Sequence, residues 1–503
     1  MMSHVTEIVK LRRKVLTELS RLAFAGKLGN EIDKVLNTVV TEEGPRYRCC
    51  VYKERAVLKE RIKVALSQPF NIDLATAAKR AINQEISDEV PLIQVMSIAC
   101  DQCPIDKFFI SNACRNCLAH NCISDCPKDA IMVVQNRAYI DKNKCVECGM
   151  CKKSCPYGAV IEVSRPCESA CGLGAIKAGS DRRAVIDYDK CVECGGCKVA
   201  CPFGAIVDQS FVIQIIAALK SGKRVHALIA PAFIGQFGVK TAPEQVFSAL
   251  RSIGFATVSE VTLGADITTY EETKEFVDKV PDKQKFLTTS CCPSFVNMVE
   301  KHVPKAQDKI SSTVSPMIAA GRAVKVADPE SITVFIGPCI AKKGEAKRWS
   351  GAIDYVATFE EIACMLIGAD INLDDVATDN NEFQQIGSVT ASQFAYSGGV
   401  AGSVAKELEY QGFPVGVKVH KSSGLKQCRA ALLMLEAGRI DSNFFEGMAC
   451  EGGCIAGPGV LANPKVTGKL VENYAAKAKY EAAGANDKMI ETVEKYHNWH
   501  NER

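Results

Sequence analysis

Two stretches of the chain repeat one cysteine spacing, C-x2-C-x2-C-x3-C-P. They are Cys145, Cys148, Cys151 and Cys155, and Cys191, Cys194, Cys197 and Cys201. Three thiolates two residues apart can wrap one iron–sulfur cubane, while a fourth beside a proline bend reaches a neighbouring cluster. A variant with one longer gap precedes them: Cys114, Cys117, Cys122 and Cys126. Cys100, Cys103, Cys167 and Cys171 bring this region to 16 of the chain's 25 cysteines, enough for four 4Fe–4S clusters. Zinc is the simpler reading of any single CxxC pair. Three runs that each end in Cys-Pro favour clusters.

The spacing is the bacterial ferredoxin ligand run. Its crossover of the fourth ligand predicts four sets: Cys114, Cys117, Cys122 with Cys155; Cys145, Cys148, Cys151 with Cys126; Cys191, Cys194, Cys197 with Cys171; and Cys100, Cys103, Cys167 with Cys201. His120, inside the first run, reads as a neighbour of the cluster rather than a ligand, because cysteines suffice. Each cubane with four thiolates carries about −2. Four of them turn the formal charge of +3 into about −5.

Three further segments carry cysteines in bent loops: Thr289-Ser290-Cys291-Cys292-Pro293, Gly337-Pro338-Cys339-Ile340-Ala341-Lys342-Lys343-Gly344-Glu345, and Glu446-Gly447-Met448-Ala449-Cys450-Glu451-Gly452-Gly453-Cys454. The first two follow expected strands, where open α/β sheets place their sites. Cys292, Cys339, Cys450 and Cys454 are candidates to hold one more cluster, which leaves Cys291 a free thiol. Lys342, three residues after a candidate ligand, suits an anionic group on the metal.

In the order TSCCP, PCxxKxxE and MACxGGCxxG, these loops resemble the cluster-binding signatures of the iron-only (FeFe) hydrogenases. The resemblance covers about 211–470, and the region before it resembles that family's ferredoxin-type accessory domain. It implies a catalytic domain of two α/β lobes with mainly parallel sheets. It also implies an H-cluster, a 4Fe–4S cubane joined to a two-iron unit with carbonyl, cyanide and dithiolate ligands. By this resemblance Cys292, Cys339, Cys450 and Cys454 ligate the cubane, and Cys454 also bridges to the two-iron unit. Cys291 looks like the proton-passing thiol, Lys342 like the cyanide partner, and Met448 like the residue packed beside the two-iron unit. Glu272, Ser311 and Glu275 look like the outward proton route; the alternative is that both glutamates are surface carboxylates on a solvated helix. Gly337, Ala232 and Ser294-Phe295 stand where the common form has Met, Ser and Gly-Trp, which resembles the group B branch.

The resemblance implies reversible formation and oxidation of molecular hydrogen, exchanging electrons with a soluble ferredoxin or similar carrier. It also implies dependence on hydrogenase maturation enzymes and an anaerobic setting. Two other readings are a non-catalytic or sensory iron–sulfur relative, and the catalytic subunit of a larger electron-bifurcating complex. Retention of Cys291, Lys342 and Met448 together argues against the former.

The elements that position these residues divide the chain into 1–95, 96–210, 211–470 and 471–503. The first is helical. Val5 to Leu22 keeps a 3.6-residue period, a second helix spans about Val51 to Leu66, and a third follows an N-cap at Asp73. Its basic residues read as a solvated face. The second part is punctuated by Cys, Gly and Pro and needs clusters to nucleate it. The third alternates strands (Val225 to Ala230, Phe286 to Thr289, Ile332 to Ile336, Val415 to Val419) with helices (Glu244 to Ser252, Tyr270 to Val280, Val314 to Ala327, Leu425 to Ala437). That alternation argues for parallel sheets. The last part reads as a charged helical tail, and His497 and His500 fall on its solvated face. No secretory h-region is seen and no window approaches eighteen apolar residues, so no membrane association is expected. The cysteines are expected to be reduced and cytoplasmic. The modest net charge gives no reason to expect nucleic-acid binding.

Overall fold

A computed structural model describes residues 5–44, 46–101, 103–104, 106–181, 183–377, 385–414 and 416–497. Its N-terminal helices are Glu7–Phe24, Leu28–Glu31, Lys34–Val39, Val51–Ala65 and Leu74–Ile82. Asp73 caps the last, accepting from the Thr76 N–H at 2.9 Å. These helices share one apolar core with the Val225–Ile229 strand and the Phe359–Gly368 helix. Glu7–Phe24 lies so close to the latter that a Cβ on Gly368 would sit 2.6 Å from Ser20 Cβ. The basic residues here do not all face solvent. Arg12 and Arg13 grip buried Glu360 at 2.7 and 3.0 Å, and Arg61 is buried.

The cysteine-rich region is four two-stranded antiparallel ribbons: Ile93–Val95 with Ile206–Asp208, Phe108–Ile110 with Val160–Glu162, Ile131–Val134 with Arg137–Ile140, and Ile176–Ala178 with Ala184–Ile186. The ribbons nest, so distant cysteines meet. In both full repeats a glycine, Gly149 or Gly195, turns left-handed (φ 77° and 78°) and starts a five-residue helix at the third cysteine. Cysteines pack among the few buried apolar residues of this region.

Beyond it lie two parallel sheets. One has the order Thr257–Glu260, Val225–Ile229, Ile332–Gly337, Tyr355–Thr358, with Val334 registered against Ala227 and Tyr355. Its inner strands are buried at every residue, as helices on both faces require. The other has the order Leu287–Thr288, Phe444–Met448, Val419–Ser423.

The structure departs from expectation in three places. The strand expected at Val415 to Val419 runs instead over Val419–Ser423, and Val415 lies outside the described residues. It is a half-buried edge strand, and its polar sequence hides it. The helix expected from Tyr270 begins at Thr262; its first turns are buried all round, so they show no amphipathic period. The segment after 470 is not a solvated tail. Val471, Tyr474, Ala475 and Met489 are buried, and Asn486 Nδ2 donates to buried Asp266 at 2.8 Å. His500 lies outside the described residues.

Candidate iron–sulfur centres and active site

All three cysteine loops emerge from the C-terminal ends of parallel strands. Cys292 precedes the Pro293–His302 helix, Cys339 follows the Ile332–Gly337 strand, and the third loop extends Phe444–Met448. Gly459 N–H donates to Pro338 O at 2.9 Å and ties the third loop to the second. Gly453 is required twice over. Its φ is 96°, and a Cβ there would lie 2.5 Å from Ser397 N and Tyr396 Cα.

The structure brings Cys292, Cys339, Cys450 and Cys454 together from these three loops. Burial and the neighbouring Cys292 and Cys454 push the Cys339 thiol up to about 12. Burial, then Cys339, Cys292 and Cys454, pushes Cys450 well above its ordinary value. Such mutual repulsion disappears when thiolates bind metal. Among the described residues no three His, Cys, Asp or Glu converge on a point that one ion could fill. Four cysteines grouped from three loops supply the one thiolate per iron that a cubane takes.

The four accessory sets also assemble. Burial and the thiols Cys155, Cys114 and Cys117 raise Cys122. Burial raises Cys151 beside Cys145, Cys126 and Cys148. Cys197 is raised by burial and by Cys194, Cys191 and Cys171. Burial with Cys201 and Cys103 pushes Cys167 up to about 11, and Cys100 adjoins Cys103. The Cys191–Cys197 loop seats on the catalytic loops. A Cβ on Gly195 would come 2.8 Å from Ile340 and 3.2 Å from Pro458. Cys194 neighbours both Cys292 and Cys450. His120 Nε2 engages Asn116 Oδ1 at 2.9 Å.

Cys291 packs with Met448, Phe394 and Val400. Burial raises its thiol strongly, reinforced by Glu272, Cys292 and Glu446. Glu272 is completely buried; neither carboxyl oxygen makes a well-aligned hydrogen bond, and Ser311 and the Ser290 N–H stand only near enough to temper its rise. Burial, then the charge of Glu275, pushes it up to about 8. Glu275 behaves oppositely. Burial would raise it, but Lys279 Nζ at 2.6 Å, Ser312 N–H at 2.9 Å and Ser311 Oγ at 2.7 Å hold it below the ordinary value. Neither glutamate is a surface carboxylate. The Thr262–Lys279 helix therefore carries a buried carboxyl of raised pKa beside Cys291 and one of lowered pKa a turn outward, ending at partly exposed Lys279.

Lys342 directs its ammonium at Glu345 Oε2 (2.6 Å), Ser315 Oγ (2.9 Å) and the Cys291 carbonyl (3.2 Å). Burial would lower its pKa, but Glu345 outweighs it and the ammonium stays charged. Gly337, where the common form has Met, faces the Phe335 ring, which a Cβ would meet at 2.6 Å. Phe335 thus fills that space from the same strand.

Two partners escaped the sequence reading. Ser315 carried no signal. Glu446 did, as a lone charge in an apolar strand; it accepts from Gly398 N–H at 2.5 Å and Ala401 N–H at 2.8 Å. Of the remaining cysteines, Cys364 and Cys428 are buried, whereas Cys49 and Cys50 are exposed with sulfurs 3.7 Å apart.

Residues 223–458 match the family described as iron only hydrogenase large subunit, C-terminal domain. Residues 138–161 and 184–207 match the 4Fe-4S binding domain. The periplasmic Fe hydrogenase large subunit of Nitratidesulfovibrio vulgaris is 32% identical over 408 residues, 69% of this chain and 93% of its own. Iron hydrogenase 1 of Clostridium pasteurianum is 27% identical over 545 residues, 94% of this chain and 88% of its own. A solved FeFe-hydrogenase from Chlamydomonas reinhardtii aligns with TM-score 0.47 at 21% identity, covering 57% of this chain and 94% of that one. The chain belongs to the iron-only hydrogenase family. Its multidomain α/β fold and its iron–sulfur binding regions are those of an electron-transferring, metal-binding oxidoreductase. No helix among the described residues is long and apolar enough to cross a membrane.

Proposed function

We propose that this protein interconverts protons and electrons with molecular hydrogen, exchanging electrons with a soluble ferredoxin or similar carrier through four accessory 4Fe–4S clusters. The observation that carries the reading is a thiol, Cys291, between four grouped cysteines and a fully buried carboxyl, Glu272, whose hold on its proton burial strengthens. When bound, the two-iron unit supplies the heterolytic cleavage and formation of hydrogen.

The chain's own residues do the rest. Cys292, Cys339, Cys450 and Cys454 would hold the cubane, with the two-iron unit seated on the Cys454 side. Lys342 presents a fixed positive charge to the cyanide side, and Met448 shields the site from water. Cys291 Sγ carries the proton and exchanges it with Glu272; Ser311 and Glu275 pass it towards Lys279 and solvent. A held proton inside and an ionised base outside make a graded relay. Electrons enter along the other side, and the neighbourhood of Cys194 with Cys292 and Cys450 supports the Cys171, Cys191, Cys194, Cys197 cluster as the last before the active site.

In this reading the protein works in the cytoplasm and receives its two-iron unit from maturation enzymes. Matured full-length protein should evolve hydrogen from dithionite-reduced ferredoxin and contain roughly 16 accessory irons, four per cubane. Hydrogen evolution with a reduced viologen but none with ferredoxin would remove the ferredoxin partner. About eight accessory irons would remove the four-cluster count.

A further inference from the structure

The two full cysteine repeats end in the same turn, Cys155-Pro-Tyr-Gly-Ala and Cys201-Pro-Phe-Gly-Ala. Locally they are alike. Each fourth cysteine accepts from the N–H four residues on, at 3.3 Å in both. Gly158 and Gly204 turn left-handed with φ 57° and 59°. Their surroundings differ. Among the described residues nothing lies within 4 Å of a Cβ at Gly158, whereas the Arg61 guanidinium covers Gly204, with Nη2 2.9 Å from that Cβ position.

Arg61 stands on the Val51–Ala65 helix and is 6% exposed. Its Nη2 donates to Gly204 O at 2.7 Å, and its Nε has no partner. The cations beside it that form ion pairs have their own partners: Arg12 with Glu360, Arg48 with Asp101 and Lys198 with Asp208. Arg61 forms no ion pair among the described residues. Its charged neighbours are Arg12 and Arg48, which repel it, and Cys201, which attracts it. A buried guanidinium in repulsive company needs an anion, and the attracting group beside it is the sulfur of Cys201.

We propose that Arg61 is the electrostatic counter-charge of the cluster held by Cys100, Cys103, Cys167 and Cys201, and that it raises that cluster's reduction potential above that of its outer-repeat counterpart. This rests on the four-cluster reading above. The physics follows from charge. A cubane with four thiolates goes from about −2 to about −3 when it accepts one electron from the carrier. Burial of Cys167 and Cys201 opposes that gain, and the adjacent fixed cation favours it. Among the described residues no such cation lies over the outer turn at Cys155. The inner cluster therefore takes up an electron first and holds it one step from the cluster that faces the active site. Arg61 acts through the cluster's surroundings and is a positioning residue.

The test is a mediated redox titration, read by electron paramagnetic resonance, of matured full-length protein and its Arg61→Gln and Arg61→Lys variants, with iron counted in each. In Arg61→Gln one accessory cluster should lose at least tenfold in its reduced-to-oxidised ratio at fixed potential, or 59 mV for a one-electron couple. The other signals should stay in place, and Arg61→Lys should remain near wild type. Loss of one cluster's iron from Arg61→Gln alone supports the same role for charge. Unmoved midpoints in Arg61→Gln, equal shifts of all clusters, or loss of the cluster from both variants would overturn it. Fewer than roughly 16 accessory irons in the unmutated protein would instead overturn the four-cluster reading on which it stands.

Discussion

Replacing Glu272 by Gln keeps the shape of a protonated carboxyl and removes its proton. The side chain is completely buried without a well-aligned hydrogen bond, and its pKa is pushed up to about 8 from 4.5. A carboxyl with a raised folded pKa is fully compatible with the fold below its unfolded value. It costs stability increasingly as pH rises from there through the folded value. The full rise corresponds to at most about 5 kcal/mol above pH 8, at 1.36 kcal/mol per unit. Glu272→Gln should therefore flatten the loss of thermal stability between about pH 5 and pH 8. Near neutrality Glu272 holds the proton that Cys291 needs, so hydrogen evolution should fall about 10²–10⁴-fold in the variant, the usual weight of a positioned acid–base group. The wild-type decline in hydrogen evolution above about pH 8 should vanish with it. Iron content and carbonyl and cyanide infrared bands should match wild type. A variant with those bands and undiminished turnover refutes the relay, whatever its stability.

Cys291→Ser should leave the cluster assembled, by iron content and infrared bands, and reduce hydrogen evolution by at least about 10²-fold; near-wild-type rates would contradict a proton role for the thiol. Lys343 is fully buried between Glu361 (2.8 Å) and Asp208 (3.4 Å), joining the cluster region to the catalytic sheet. Lys343→Met strands Glu361, while Asp208 keeps Lys198 at 2.5 Å, and should cost about 3–5 kcal/mol in urea denaturation; an unchanged midpoint would mean the network is neutral. Tyr474 hydrogen-bonds Glu260, whose pKa burial pushes up to about 7 while the hydroxyl opposes the rise. Because a raised carboxyl destabilises as pH increases, Tyr474→Phe should cost about 1–3 kcal/mol at pH 8 and less at pH 5, followed by thermal unfolding.

Covalent spacing made the cysteine sets legible. The fourth-ligand crossover expected from the repeat agrees with the neighbourhoods in the fold, where Cys155 stands by Cys122 and Cys201 by Cys103 and Cys167. The Val225–Ile229 and Ile332–Gly337 strands were legible because continuous apolar runs belong in doubly covered parallel sheets. What escaped was decided at long range. Lys343 reads as a surface charge until Asp208 and Glu361 close on it. The inward turn of Arg61 depends on a glycine 143 residues later. The Val419–Ser423 strand lies at a sheet edge, where exposure erases the hydrophobic signal. The role of residues beyond 470 depends on Asp266, whose partner Asn486 no local pattern reveals.

The central claim concerns what happens to hydrogen itself, independent of any electron partner. Matured full-length protein held in deuterated water under hydrogen gas should release HD and D2, followed by mass spectrometry. Such exchange requires the molecule to be split and a proton passed along the chain's relay. No exchange from protein that shows intact carbonyl and cyanide infrared bands would contradict the hydrogenase reading.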